Sequence, residues 1–183
     1  MNFGTDVNIG TLRNVEGDAT TPQTTHAKEI ALIPHCCNNG VNGNGIGVMG
    51  AGVALALRKK WPQVYTEYKI MENRDRGGLT NRLGDNSYAK IGNHLVVVNM
   101  IAQNGIASES NSIPLKYEAL ISCMRNIVDY VRMIQKQTSN PVVIHCPKFG
   151  SDLAGGDWNF IMELIKEIWL ENGIDVVVYE WVG

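Results

Sequence analysis

Short apolar runs alternate with amphipathic segments along most of this chain. Four runs rich in β-branched residues, at residues 29–34, 94–101, 141–146 and 174–181, are typical of strands buried on both faces of a sheet. Residues 11–16 form a possible earlier strand. The pattern predicts a sheet whose strands are largely hidden from solvent.

The segments between the strands carry apolar residues at helical spacing. This spacing predicts helices at residues 115–137 and 158–172, and a shorter one at residues 53–60. Gly173 supplies the expected stop after the second of these helices. Strands that alternate with helices indicate an α/β sandwich with a mostly parallel sheet, in which ligands bind beyond the carboxyl ends of the strands.

Two glycine-rich segments lie between a predicted strand and the helix after it. The first glycine loop is Met49-Gly50-Ala51-Gly52-Val53-Ala54, and the second is residues 149–158. Glycine permits close approach to main-chain N–H groups, and a helix start with free N–H groups binds anions. Neither loop has the Gly-Lys-Ser/Thr of a P-loop. Two such loops in one small domain predict a ligand with two linked phosphates.

The Gly45-x-Gly47-x-x-Gly50 spacing matches a dinucleotide fingerprint. A polar segment, residues 35–44, separates this spacing from the strand before it, so the pattern gives weak support for a dinucleotide-dependent dehydrogenase.

Length and composition predict one soluble domain over residues 1–183. The net charge of −2 and the pI of about 6.1 argue against a broad surface for nucleic acid or membrane. No apolar run reaches a membrane-spanning length. The four cysteines lack the clustering of a zinc site, so we expect free thiols, no metal, and a cytoplasmic protein.

Polar residues at the predicted strand ends are candidates for ligand contact. In Gly17-Asp18-Ala19-Thr20, the Asp18 carboxylate could accept a hydrogen bond from an exocyclic amine such as that of adenine, or could cap a turn or helix. The segment at residues 35–44 holds four asparagines. Their amides suit ribose hydroxyls, although asparagine and glycine also supply left-handed turns.

Candidate acid–base groups lie beside both glycine loops. His35 follows a predicted strand and could be a general acid or base, because its ordinary pKa lies near neutrality; a hydrogen-bonded structural histidine is the alternative. His145 lies within a strand pattern and is expected in the core. Asp152 and Asp157 belong to the second glycine loop, and Asp157 is also placed to cap the helix that follows.

These pieces, in this order, resemble the macrodomain family from about Val15 to the C-terminus. Gly17-Asp18-Ala19-Thr20 is similar to the motif whose acid contacts adenine, and His35-Cys36-Cys37-Asn38 to the segment near the distal ribose. The first glycine loop is similar to the phosphate and ribose loop, and the second to the pyrophosphate loop. The branch it most resembles contains ADP-ribose-1''-phosphate phosphatases and terminal ADP-ribose protein glycohydrolase.

The resemblance implies a three-layer α/β/α sandwich around a mixed, mostly parallel sheet, with ADP-ribose in a cleft across the sheet edge. Asp18 would bind the adenine amine, and the backbone of residues 150–155 would surround the diphosphate. The binding residues implied are Gly17, Asp18, Ala19, Asn38, Met49, Gly50, Ala51, Gly52, Val53, Gly150, Ser151, Asp152, Leu153, Ala154 and Gly155.

The resemblance also implies hydrolysis of an ADP-ribose derivative at the distal ribose, with His35 and Asp157 handling protons and without a cofactor. The leaving group would be a phosphate or an ester-linked carboxylate, and an ADP-ribosylated protein is a further candidate partner. The lysine and aspartate of the glycohydrolase branch fall at Gln103 and Ala154 here, so a covalent lysine mechanism is not expected. A module that binds ADP-ribose without turnover is the alternative.

Overall fold

A computed structural model describes residues 8–41, 47–72 and 78–181 of the chain. Gly45, the first glycine of the dinucleotide-like spacing, lies outside the described residues, as do residues 42–44 of the asparagine-rich segment. The strands are β1 (Leu12–Glu16), β2 (Ile30–Asn38), β3 (Asn86–Lys90), β4 (Leu95–Gln103), β5 (Val142–Pro147) and β6 (Asp175–Glu180). The α-helices are α1 (Gly52–Lys60), α2 (Pro62–Ile70), α3 (Tyr117–Gln137) and α4 (Trp158–Leu164).

The strands form one six-stranded sheet in the order β1-β6-β5-β2-β4-β3. Strand β3 runs antiparallel to β4, and every other neighbouring pair in that order is parallel. The sheet is therefore mixed and mostly parallel, as expected. The carboxyl ends of β1, β6, β5, β2 and β4 meet at one edge of the sheet.

Helices cover both faces of this sheet. On one face, α3 and α4 pack on Leu32 and Val98 in the larger apolar core. On the other, α1 and α2 pack on Ile33 and Val97 in a second apolar core. Successive strand residues thus alternate between two cores, which explains why the strands appear in the sequence as continuous apolar runs.

The structure corrects several predicted boundaries. Strand β2 continues to Asn38 instead of ending at residue 34, because its pairing with β4 carries on past Pro34 to a bulge at Cys37 and Asn38. The helix predicted at residues 158–172 is α4 followed by a π-helical turn, Ile165–Leu170. Helix α2 and strand β3 were not predicted.

In the described part of the chain, every helix is too short or too polar to cross a membrane. The four cysteines are free thiols, and Cys37, Cys123 and Cys146 are buried.

Candidate functional site

A cavity of about 370 Å³ opens at the carboxyl ends of β2, β5 and β4. Its lining comes from the end of β2, the first glycine loop, the connection after β4 and the second glycine loop. Ligand pockets of small molecules begin at about this size. Both glycine loops thus border one cavity at the sheet edge where the strand pattern placed them.

The first glycine loop presents the start of α1 to this cavity. Ala51 is the N-cap residue, and no described side chain caps the helix. Gly52 has a φ of +58°, a conformation that L side chains rarely adopt. In the first turn of α1, Gly52 and Val53 are exposed to solvent, and the turn contains no acidic residue. Free amides and the positive end of the helix dipole are the features by which helix N-termini bind anions.

The second glycine loop is a closed turn whose glycines are sterically required. The Gly156 amide donates to the Gly150 carbonyl across 2.8 Å, and the Leu115 amide donates to the Ala154 carbonyl across 3.1 Å. A Cβ on Gly156 would lie 2.4 Å from the Gly150 carbonyl oxygen. The backbone of this loop is therefore fixed before any ligand arrives.

The two glycine loops approach each other across the cavity. The Leu153 Cδ1 atom lies 3.9 Å from the position that a Cβ on Gly52 would take. Leu153 is nevertheless 54% exposed. Phe149, the first residue of the second glycine loop, also lines the cavity and makes an edge-to-face contact with Trp158, with ring centroids 5.8 Å apart. A ligand between the loops would be covered by an apolar side chain.

Asn38 lines the cavity but uses its amide to shape the chain. Its Nδ2 donates to the Val48 carbonyl across 3.0 Å, and its Oδ1 accepts from the Gly40 amide across 2.9 Å. The Tyr68 hydroxyl donates to the Asn38 carbonyl across 2.7 Å. These bonds hold Gly40 and Val48 against the end of β2.

His35 is buried, with 2% of its surface exposed, although it belongs to the lining of the cavity. Its Nε2 lies 2.6 Å from the Asn99 Oδ1. Asn99 Nδ2 donates to the Val64 carbonyl and the Ser87 hydroxyl, so its Oδ1 is the acceptor and His35 Nε2 carries the proton. Burial lowers the pKa of His35 to about 4, against the opposing effect of the Asn99 hydrogen bond.

Asp157, the other predicted catalytic residue, is the N-cap of α4. Its Oδ1 accepts from the Asn159 amide across 2.9 Å, and its own amide donates to the Tyr117 hydroxyl across 2.8 Å. Asp157 does not belong to the cavity lining, whereas Asp152 does. The capping alternative describes its observed contacts, and its catalytic role stays a prediction.

Asp18 lies two residues beyond the end of β1, at the same sheet edge but outside the lining of this cavity. Its Oδ1 accepts from the Thr20 amide across 2.8 Å. Ala19 is buried against Val143, Val177 and Tyr179. The Lys60 ammonium donates to the Thr20 carbonyl, so the end of α1 holds this turn.

The cavity brings together most of the predicted binding residues. Five of the predicted binding residues lie outside its lining: Gly17, Asp18, Ala19, Ser151 and Gly155. Sequence reasoning missed Val48, Ile106, Ala107 and Lys148, which line it. Their position in the sequence could have indicated them, because residues just after a buried strand lie at the sheet edge where ligands bind. Ile106 and Ala107 closely follow β4, and Lys148 follows β5 directly.

No protein-family model matches the chain. An ADP-ribose 1''-phosphate phosphatase of Scheffersomyces stipitis is 22% identical, and the match covers 91% of this chain and 99% of the relative. A structure of a protein of unknown function from Bacteroides thetaiotaomicron has a TM-score of 0.78 at 29% identity, covering 94% of this chain and 99% of its own.

Two further solved structures are similar to this chain. A macrodomain protein from Streptomyces coelicolor has a TM-score of 0.71 at 28% identity, covering 92% of this chain and 98% of its own. Thermosipho africanus DarTG in complex with ADP-ribose has a TM-score of 0.64 at 17% identity, covering 92% of this chain and 41% of its own. At that identity the second likeness bears on the fold alone.

Proposed function

Because this chain belongs to the macrodomain family, we propose that its cavity binds ADP-ribose and that it hydrolyses an ADP-ribose derivative at the distal ribose. The observation that carries the proposal is the pair of glycine loops on one cavity. The exposed amides at the start of α1 lie across from the closed turn at residues 150–156. Together they offer backbone donors to two linked phosphates.

Calorimetry with ADP-ribose tests the binding step. We expect ADP-ribose to bind at least about tenfold more tightly than AMP, since AMP lacks the second phosphate and the distal ribose. Absence of binding to ADP-ribose would refute the proposal.

A matched pair of variants tests the anion site at α1. Val53→Glu places a carboxylate in the first turn, where it competes with the ligand for the free amides while suiting the helix dipole. We expect a loss of about tenfold or more in affinity with little change in the free energy of unfolding. Ala56→Glu adds the same charge to an exposed position of α1 outside the cavity lining and serves as the control. Equal affinities in the two variants would contradict the phosphate assignment.

The proposal has a second part, hydrolysis of the bound ADP-ribose derivative. The alternative is a module that binds ADP-ribose without turnover. Among the lining residues that the structure describes, Asp152 provides the carboxylate and His35 the imidazole. His35 donates from Nε2 to Asn99, so Nδ1 is the atom that would accept a proton from water, as a weak base because its pKa is lowered; Asp152 or the predicted Asp157 would be the second group. Product release from ADP-ribose 1''-phosphate and from an ADP-ribosyl ester distinguishes the candidates. Tight binding of ADP-ribose without any product would support the binding module.

A further inference from the structure

We infer that Tyr68 and Glu72 are positioning residues, which hold the chain that enters the first glycine loop in the arrangement that the ligand requires. Tyr68 lies in α2 and Glu72 two residues beyond its end, and both are outside the cavity lining. The inference rests on the proposed function, because it takes ADP-ribose as the ligand and the first glycine loop as a phosphate contact. It also assigns a role to Gly47, which belongs to the dinucleotide-like spacing but does not line the cavity.

Gly47 is a glycine because the side chain of Tyr68 occupies the space beside it. Both residues are buried. A Cβ on Gly47 would overlap the hydroxyl and the ring of Tyr68. In a dinucleotide fingerprint, glycine lets a phosphate approach the backbone closely. At Gly47 the group that approaches is a tyrosine of the protein itself, so this glycine serves the support of the loop.

The Tyr68 hydroxyl also fixes the end of β2. It donates to the Asn38 carbonyl across 2.7 Å, and burial raises the pKa of Tyr68, so the hydroxyl keeps the proton that it donates. Asn38 in turn donates from Nδ2 to the Val48 carbonyl across 3.0 Å. The residue after Gly47 is therefore tied to α2 through Asn38.

Glu72 supplies the acceptor for the Gly47 amide. This amide donates to the Glu72 Oε1 across 2.7 Å. Lys69, in the last turn of α2, forms an ion pair with the same oxygen and so restrains the carboxylate. Hydrogen bonds to ionised acceptors are stronger than those between neutral groups. Glu72 thus fixes the backbone of Gly47 while the Tyr68 ring fixes its surroundings.

These contacts end where the exposed part of the loop begins. Met49 is buried in the second apolar core together with Tyr68. Gly50 is exposed, and a Cβ there would meet nothing within 4 Å. The direction in which the chain leaves the core toward the start of α1 is therefore set by residues 47–49. A backbone that is held in place before binding loses less conformational entropy when the ligand arrives.

Two substitutions of Glu72 test the inference. Glu72→Gln and Glu72→Met remove the same charge from side chains of similar length, but only glutamine keeps a terminal oxygen that can accept from the Gly47 amide. The Glu72 side chain is 23% exposed, so both variants should fold, which urea unfolding verifies. In calorimetry, we expect Glu72→Gln to bind ADP-ribose within about twofold of the unsubstituted protein and Glu72→Met to bind about tenfold more weakly.

The comparison between these two variants separates positioning from charge and from stability. Loss of the negative charge is common to both, and affinities are compared at a temperature at which both are folded. Equal affinities of the folded variants would overturn the inference, and binding of ADP-ribose by the unsubstituted protein would then leave the proposed function in place. Failure of the unsubstituted protein to bind ADP-ribose would instead refute the proposed function.

The Tyr68 hydroxyl provides a second test. Tyr68→Phe keeps the ring beside Gly47 and removes only the donor to the Asn38 carbonyl, so we expect ADP-ribose to bind about fivefold more weakly. Tyr65→Phe is the matched control in the same helix, because the Tyr65 ring lies under Arg58, with the guanidinium carbon 3.8 Å from the ring centroid. This control should change the affinity by less than about twofold. Equal affinities of the two phenylalanine variants would contradict a positioning role for the Tyr68 hydroxyl.

Discussion

The imidazole of His35 donates from Nε2 to the Asn99 side-chain oxygen across 2.6 Å, between directly paired residues of β2 and β4. This contact lies beneath α2, because Asn99 also donates to the Val64 carbonyl in that helix. The imidazole is thus enclosed in the fold, and desolvation holds its pKa at about 4. Its neutral form is the one that the folded protein favours.

The free energy of unfolding should therefore decrease as the pH is lowered, and His35 should account for part of this decrease. The unfolded imidazole titrates near 6.5 and the folded one near 4, so lowering the pH from about 7.5 to about 5 protonates mainly the unfolded chain. The site's contribution to the free energy of unfolding should drop by about 2 kcal/mol over that interval. Urea unfolding at the two pH values measures this change.

His35→Gln is the comparison variant, since glutamine can still donate to Asn99 but does not titrate. The acid-dependent loss should be smaller in this variant by about the same 2 kcal/mol. His145 contributes to both proteins alike and cancels in the difference. An equal loss in both proteins would mean that the folded pKa of His35 is not depressed.

Gly50 should be required by the ligand and not by the fold. A Cβ at Gly50 would meet nothing within 4 Å, whereas Gly52 in the same loop needs glycine for its positive φ. Gly50→Ala should leave the free energy of unfolding within about 0.5 kcal/mol and weaken ADP-ribose binding about tenfold, because the methyl group blocks approach to the backbone. Gly92→Ala, also in open space but outside the cavity lining, should change neither quantity. Unchanged affinity in Gly50→Ala would place the ligand elsewhere.

A single substitution at Asp157 distinguishes its helix-capping role from its predicted catalytic role. Asparagine caps helices as well as aspartate does, so Asp157→Asn should retain stability while Asp157→Ala loses about 1 kcal/mol, measured by urea unfolding. The catalytic role predicted for Asp157 requires that Asp157→Asn lower turnover about 100-fold. Unchanged turnover with intact stability would assign this residue to capping alone.

The elements that the sequence predicted share one property: their side chains are buried in a regular pattern. Strands β4, β5 and β6 and helix α3 gave clear apolar runs or helical spacing, and the structure has all of them. Strand β3 escaped notice because it is an edge strand whose burial alternates and whose inward side chains are the small Ser87 and Ala89. Helix α2 is short, and Pro62 at its first turn was the available start signal.

The site was predictable where a local motif carries the chemistry and not where the tertiary fold does. The glycine content of the two loops was enough to identify them in the sequence, because glycine permits the backbone conformations that they adopt. The surroundings of His35 depend on Asn99, which is 64 residues away in the chain. Ile106 reaches the cavity only because β4 lies beside β2. Neither relationship has a local signal in the sequence.

A second buried histidine, His145, anchors the segment that carries Asp18. Tyr179 accepts from the Gln23 amide across 2.7 Å and lies 2.8 Å from His145 Nδ1, and His145 Nε2 lies 2.7 Å from a Glu29 oxygen. A carboxylate only accepts, so His145 Nε2 donates to Glu29 and the Tyr179 hydroxyl donates to His145 Nδ1. Burial lowers the pKa of His145 and so favours its neutral imidazole, which has one nitrogen that donates and one that accepts.

Glu29→Gln should therefore loosen the turn at Asp18 from within the core. The change replaces a charge-assisted bond to His145 and sets an amide donor near the Thr25 amide, so we expect a loss of about 1–3 kcal/mol in the free energy of unfolding. Glu16→Gln, at an exposed carboxylate of β1, should lose less than about 0.5 kcal/mol. Urea unfolding measures both. If the two variants are equally stable, Glu29 does not hold the segment. If instead only Glu29→Gln is destabilised and its ADP-ribose affinity also falls, the buried contacts of His145 help to position Asp18 for the ligand.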